Sequence, residues 1–98
     1  MKKGYWVVAY RSVSDESVLK DYGKLAIPAI DAGGGRLIIR TAEAIVPHES
    51  GLKQRVVVVE FENFDKAVAT YDSPAYQAAL KVLGSAADRD FRIVEGAD

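Results

Sequence analysis

The spacing of apolar and polar positions changes along the chain in an order that predicts β-α-β-β-α-β. YWVVAYR, within Gly4 to Arg11, is β-branched and aromatic with no turn residue, and predicts a first strand. Ser14 is placed to cap the helix that follows, with Asp15 and Glu16 in its first turn, where carboxylates meet the positive end of the helix dipole. Val18, Tyr22, Leu25 and Ala29 trace its apolar side until Gly33 closes it. Pro28 interrupts this pattern and predicts a kink near Lys24 to Pro28, or two shorter helices. RLIIRTAEAIV predicts a second strand that is bent or broken around Ala42 to Ala44 and stops at Pro47. PHESGLKQ is then a polar hairpin connection to RVVVVEF, Arg55 to Phe61, the third strand and the partner of the second. Asn63 caps a second helix through Tyr71, with Phe64, Ala67 or Val68, and Tyr71 on its buried side. Ser73 and Pro74 restart the helix as N-cap and first residue, with Tyr76, Ala79, Leu80 and Leu83 inward until Gly84. DFRIVEG, Asp90 to Gly96, predicts the last strand.

This order predicts an α+β, ferredoxin-like fold over residues 1–98 as a single domain: an antiparallel four-stranded sheet with the helices on one face. The bare face of such a sheet ordinarily shows alternating polar residues. Trp6 to Ala9 and Val56 to Val59 are instead apolar at every position, and too few residues remain to build a third layer. Apolar area left in water costs roughly 25 cal/mol per Å², so self-association through the open face is the simplest cover.

The segments KGYWVVAY, DYGKLAIPAIDAGGGRLIIR, VVVVEFENFDKAVATYDSPAYQAAL and the terminal FRIVEG together resemble the domain of unknown function family numbered 1330, within the dimeric α/β-barrel superfamily. FENFDKAVATYDSPAYQ is the most specific of these, since it joins a strand end, a capped helix and the Ser-Pro restart at fixed spacing. The resemblance implies a homodimer whose two sheets face each other. It implies no reaction, because relatives of that superfamily include monooxygenases, lactone isomerases and stress-responsive barrels. By fold analogy alone, an enzyme of this kind would be a cofactor-independent monooxygenase or isomerase.

Composition narrows the classes further. A formal net charge of -1, from 13 basic and 14 acidic residues, lacks the excess that non-specific phosphate binding requires, so nucleic acid is not expected as a partner. The apolar run after Lys2 and Lys3 ends at Arg11, too soon for a secretion signal, and no stretch approaches a membrane span, so a mature soluble protein is expected. With no cysteine there is no disulfide, thiolate nucleophile or thiolate metal site, and a cytoplasmic location fits. One histidine among scattered carboxylates gives no metal constellation, so neither metal nor cofactor is expected.

Candidate chemistry is sparse. His48, the single histidine, lies in the hairpin connection and offers a general base, a heme ligand or an exposed loop side chain. Glu60 ends the valine run, where a half-buried carboxylate serves either as a catalytic acid or base or as one half of a structural ion pair with Arg40 or Arg11. Tyr71, with Asp72, Ser73 and Tyr76 at the helix break, offers a phenol to a ligand or simply packs there. Gly33 to Gly35 lead into a strand and so read as a tight turn, not a phosphate loop. If a small organic molecule is bound, Arg40, Tyr71 and Trp6 are the expected ligand contacts, with Glu60 and His48 as the catalytic candidates. The alternative is a non-catalytic dimeric scaffold or partner-binding module.

Overall fold

The structure, a computed structural model, describes residues 2–97. Its elements are β1 (Gly4–Val13), α1 (Glu16–Ala32), β2 (Arg36–Thr41), β3 (Val56–Phe61), α2 (Phe64–Asp72), α3 (Pro74–Leu83) and β4 (Ala87–Glu95). The four strands form one antiparallel sheet in the order β2-β3-β1-β4. Each helical connection therefore joins two parallel strands separated by one antiparallel strand, which is the split βαβ arrangement of a ferredoxin-like fold.

Strand alternation assigns the two faces. Trp6, Val8 and Tyr10 of β1 are buried beneath the helices together with Val59 and Phe61 of β3. Tyr5, Val7 and Ala9 lie opposite Glu60, Val58 and Val56, and face the other way. Trp6 anchors the core: its indole donates to the Ala67 carbonyl at 2.8 Å, and its ring packs within 4.7 to 6.2 Å of Phe61, Tyr71, Tyr76 and Phe91.

Several local readings are corrected. Asp15, not Ser14, caps α1, accepting from the backbone N–H groups of Ser17 and Val18; Ser14 bonds the Ala86 carbonyl instead. Pro28 does not divide α1, which runs as one helix through it. Lys24 and Pro28 are both exposed, so water can satisfy the carbonyl that the proline leaves without a donor. The buried stripe of α1 is Leu19, Tyr22, Ala26, Ala29 and Ile30, whereas Leu25 points outward, because the helix rests on α3 and stands off from the sheet. β2 ends at Thr41, and residues 42–55 are loop. β4 starts three residues earlier than the periodicity implies, since Ala87 and Asp88 pair with Val13 and Ser12 beyond an irregularity at Arg11. The Ser73 and Pro74 restart is as read, with the Ser73 hydroxyl accepting from the Tyr76 N–H.

Two glycines position α1 against β2. Gly34 adopts φ 78°, the left-handed region that favours glycine, and a Cβ on Gly35 would run into Ile30 and the Phe61 ring. No helix among the described residues is long and apolar enough to cross a membrane.

Candidate functional site

Because α1 leans on α3, the space between it and the sheet is not filled by its own side chains. A cavity of about 780 Å³ opens there, within the range of sites that take small organic ligands. Its floor is the inner sheet face: Trp6, Val8 and Tyr10 from β1, Val57 and Val59 from β3, Leu37 from β2 and Phe91 from β4. Its roof is α1, from Glu16 through Leu19, Tyr22, Gly23 and Ile27 to Ile30. Gly23 widens it, since beyond its chain neighbours and the helix's own backbone no atom lies within 4 Å of where its Cβ would stand.

Three arginines meet this space. Arg40 reaches it through a backbone irregularity. Leu37 and Arg40 are an odd number of residues apart, so regular alternation would turn them to opposite faces, but the register shifts between Leu37 and Ile39 and both line the cavity. Arg89 pairs with Tyr10 across β1 and β4. Its guanidinium sits 5.2 to 5.6 Å from the centres of the Tyr10, Tyr22 and Phe91 rings and donates to the Tyr22 hydroxyl at 3.2 Å. Burial works against its charge, but the phenolic oxygens of Tyr22, Tyr76 and Tyr10 outweigh that and hold it firmly cationic. Arg55, just before β3, presents its carbonyl to the Tyr10 N–H and its side chain to the cavity. The Arg55 Nε is buried with no hydrogen-bond partner among the described residues, and its Nη2 stands 3.7 Å from an exposed Glu16 carboxylate.

The tyrosines complete a polar relay. The Tyr22 and Tyr76 hydroxyls are 2.6 Å apart. Tyr76 is fully buried and does not line the cavity, so its proton has the Tyr22 oxygen as acceptor. Tyr22 thus accepts from both Arg89 and Tyr76, and its own O–H is left to point into the cavity it lines. Burial, reinforced by Tyr22 and partly offset by Arg89, pushes the Tyr76 phenol well above its ordinary range. Burial likewise raises Tyr10, with Arg89 opposing.

The candidates named from sequence fall in different places. Trp6 and Arg40 line the cavity. Tyr71, half-buried, packs edge-on against Trp6 and Phe91 at the margin of the core and does not line the cavity. Glu60 projects from the opposite sheet face, where it accepts from Arg36 at 3.1 Å and lies 3.5 Å from the Tyr5 hydroxyl. His48 is exposed in the loop of residues 42–55, away from the cavity. Arg55, Arg89 and Tyr22 line the cavity without a sequence signal for a site, Tyr22 reading only as part of the apolar side of α1. Only parity with Phe91 hints at Arg89, and nothing local marks Arg55, whose position depends on strand pairing. Among the described residues no three potential metal ligands cluster.

Fold and cavity together define a ferredoxin-like α+β protein with a basic, aromatic-walled chamber between helix and sheet. The chain belongs to the family called domain of unknown function DUF1330, whose model matches residues 3–97. A search of curated proteins found no match. Among solved structures, the chain is similar to a protein of unknown function from Rhodopseudomonas palustris, with TM-score 0.74 and 14% identity over 99% of this chain and 84% of that one. It is also similar to a candidate antibiotic biosynthesis monooxygenase from Nitrosomonas europaea, with TM-score 0.61 and 13% identity over 98% and 90%. A third is a dimeric ferredoxin-like protein of unknown function from Thermobifida fusca, with TM-score 0.52 and 19% identity over 95% and 90%. At these identities the likeness is one of fold.

Proposed function

We propose that this protein is a homodimer that binds a small organic molecule in the chamber between α1 and the sheet. The observation that carries the binding reading is the chamber itself, about 780 Å³ with apolar and aromatic walls and a few convergent polar groups. A filled interior would be the ordinary outcome for a domain of this size, because interiors pack to crystal-like density. Binding, not proton abstraction, is what the lining supports: its one carboxylate, Glu16, is exposed at the rim, and it contains no histidine.

The dimer is supported by the uncovered sheet face. Tyr5, Val7, Val56, Val58 and Val94 are only partly shielded there, and Ile38 and Ile39 are 41% and 45% exposed. The charges on that face are already paired, Arg36 with Glu60, Arg11 with Asp88 and Asp90, and Asp90 with Arg92 through two bonds of 3.0 and 3.1 Å, so a second sheet can cover them without stranding an ion. The Thermobifida fusca relative of similar fold is described as dimeric.

Native mass spectrometry of protein purified from its source cells tests both parts. A dimer carrying a retained organic mass, released on denaturation, is the expected result. A dimer with no retained mass, together with no affinity for added organic ligands, would favour the scaffold reading. A stable monomer would overturn the dimer.

A further inference from the structure

We infer that the ligand is an organic monocarboxylate with an apolar body, its carboxylate held by the Arg55 guanidinium beside Arg89 and the Tyr22 hydroxyl. This rests on the chamber being a binding site and adds the class of molecule it takes. The first ground is charge. Five of the six charged residues lining the chamber are basic, Lys20, Lys24, Arg40, Arg55 and Arg89 against Glu16, in a chain whose formal net charge is -1. Basic residues concentrated in one concave apolar site focus a positive potential there that the molecule as a whole does not have.

The second ground is an unmet donor. A buried N–H without a partner carries a desolvation cost that a ligand acceptor would relieve, and the Arg55 Nε is such a group. It lies on the same planar fork as Nη2, and a fork of this kind matches the two oxygens of a carboxylate. The third ground is that a carboxylate already approaches that fork. Glu16 stands 3.7 Å from Nη2, too far and too exposed to hold the guanidinium tightly, and a ligand carboxylate entering from the chamber would displace it.

The remaining donors converge on the same end of the chamber. Arg89 lies across β1 from Arg55, separated from it by Tyr10, whose ring both guanidinium groups approach at 5.6 and 6.0 Å. Tyr22, accepting from Arg89 and Tyr76, has its proton free for an incoming anion. Away from this end the walls are Trp6, Val8, Leu37, Ile27, Val57 and Val59, which suit an apolar body and offer it no polar partner.

The test is calorimetric titration of the full chain with four probes: 2-naphthoate, octanoate and the neutral amides of the same two acids. The expected result is that each carboxylate binds about tenfold or more tightly than its amide, the discrimination a charge-assisted bond made away from bulk water supplies. In Arg55→Met that preference falls several-fold, with Arg89 and Tyr22 still in place, while amide affinity is unchanged. In Glu16→Gln carboxylate affinity rises a few-fold, because the competing acid is gone; this variant is at an exposed position and keeps the test sound if Arg55→Met does not fold. Amides binding as well as or better than the acids would overturn the anion inference and leave the chamber reading standing. Failure of all four probes at about millimolar concentration, the weak end of measurable affinity, would overturn both.

Discussion

Gly23 lies in the interior of α1, where glycine is the wrong residue for helix stability and the right one for an open chamber. In a helix interior glycine is about 0.8–1.0 kcal/mol less favourable than alanine, and leucine is close to alanine. Beyond its chain neighbours and the helix's own backbone, no atom stands within 4 Å of the Cβ position, so a larger side chain meets open space, not a packed neighbour. Gly23→Leu should therefore stabilise the protein by up to about 0.8 kcal/mol. For a domain of this length 1 kcal/mol corresponds to about 4–8 °C in Tm, so the expected rise is roughly 3 to 6 °C. The same leucine would project into the chamber and reduce 2-naphthoate affinity by about tenfold or more, the cost of displacing a body the walls otherwise accommodate. Thermal melts at fixed protein concentration and calorimetry on the same preparation read the two effects separately, the fixed concentration being needed because dimer stability depends on it. A Tm that falls by several degrees would mean that the space is filled in solution. A raised Tm with unchanged affinity would mean that the ligand binds elsewhere.

Other outcomes follow from the same geometry. Val58→Asp places an unpaired charge between Val7 and Ile39 on the open sheet face, and sedimentation should show dissociation or unfolding; an undisturbed dimer would show that this face is not the interface. Asn63→Ala removes the acceptor for the Lys66 N–H at 2.9 Å and should cost about 1 kcal/mol in urea denaturation, where a change below the error of the fit would refute the capping role. The raised Tyr76 pKa means that folding favours the neutral phenol, so its contribution is complete below the unfolded value of about 10 and is lost as pH climbs from there through the raised folded value. Stability should then fall above pH of about 10, with phenolate absorbance appearing as the protein unfolds, and Tyr76→Phe should flatten part of that fall; an identical alkaline profile would refute the assignment.

Much of the fold is legible because local chemistry and tertiary role agree. The strand at Val56 to Val59, the Asn63 cap and the Ser73 and Pro74 restart each carry their own signal, and α2 and α3 are found where these place them. The uncovered face is legible as well, in strands apolar at every position. The chamber is not, for three physical reasons. The register shift after Leu37, which turns Arg40 inward, leaves no trace in the order of residues. Arg55 and Arg89 meet around Tyr10 only through strand pairing, so neither neighbours the other in sequence. The packing of α1 against α3 leaves the space, and the buried stripe runs through Ala26 instead of Leu25, a rotation that helical periodicity alone cannot distinguish. The apolar neighbours of Glu60 leave its face undecided in the sequence, and pairing with Tyr5 places it on the far face.

The most direct measurement is a crystal structure of the protein with 2-naphthoate. The account predicts the naphthyl ring between α1 and the sheet against Trp6 and Leu37, with a carboxylate oxygen within hydrogen-bond distance of the Arg55 Nε and Glu16 moved aside. A chamber closed by α1 settling onto the sheet, or the acid bound outside it with Arg55 still facing Glu16, would contradict the account.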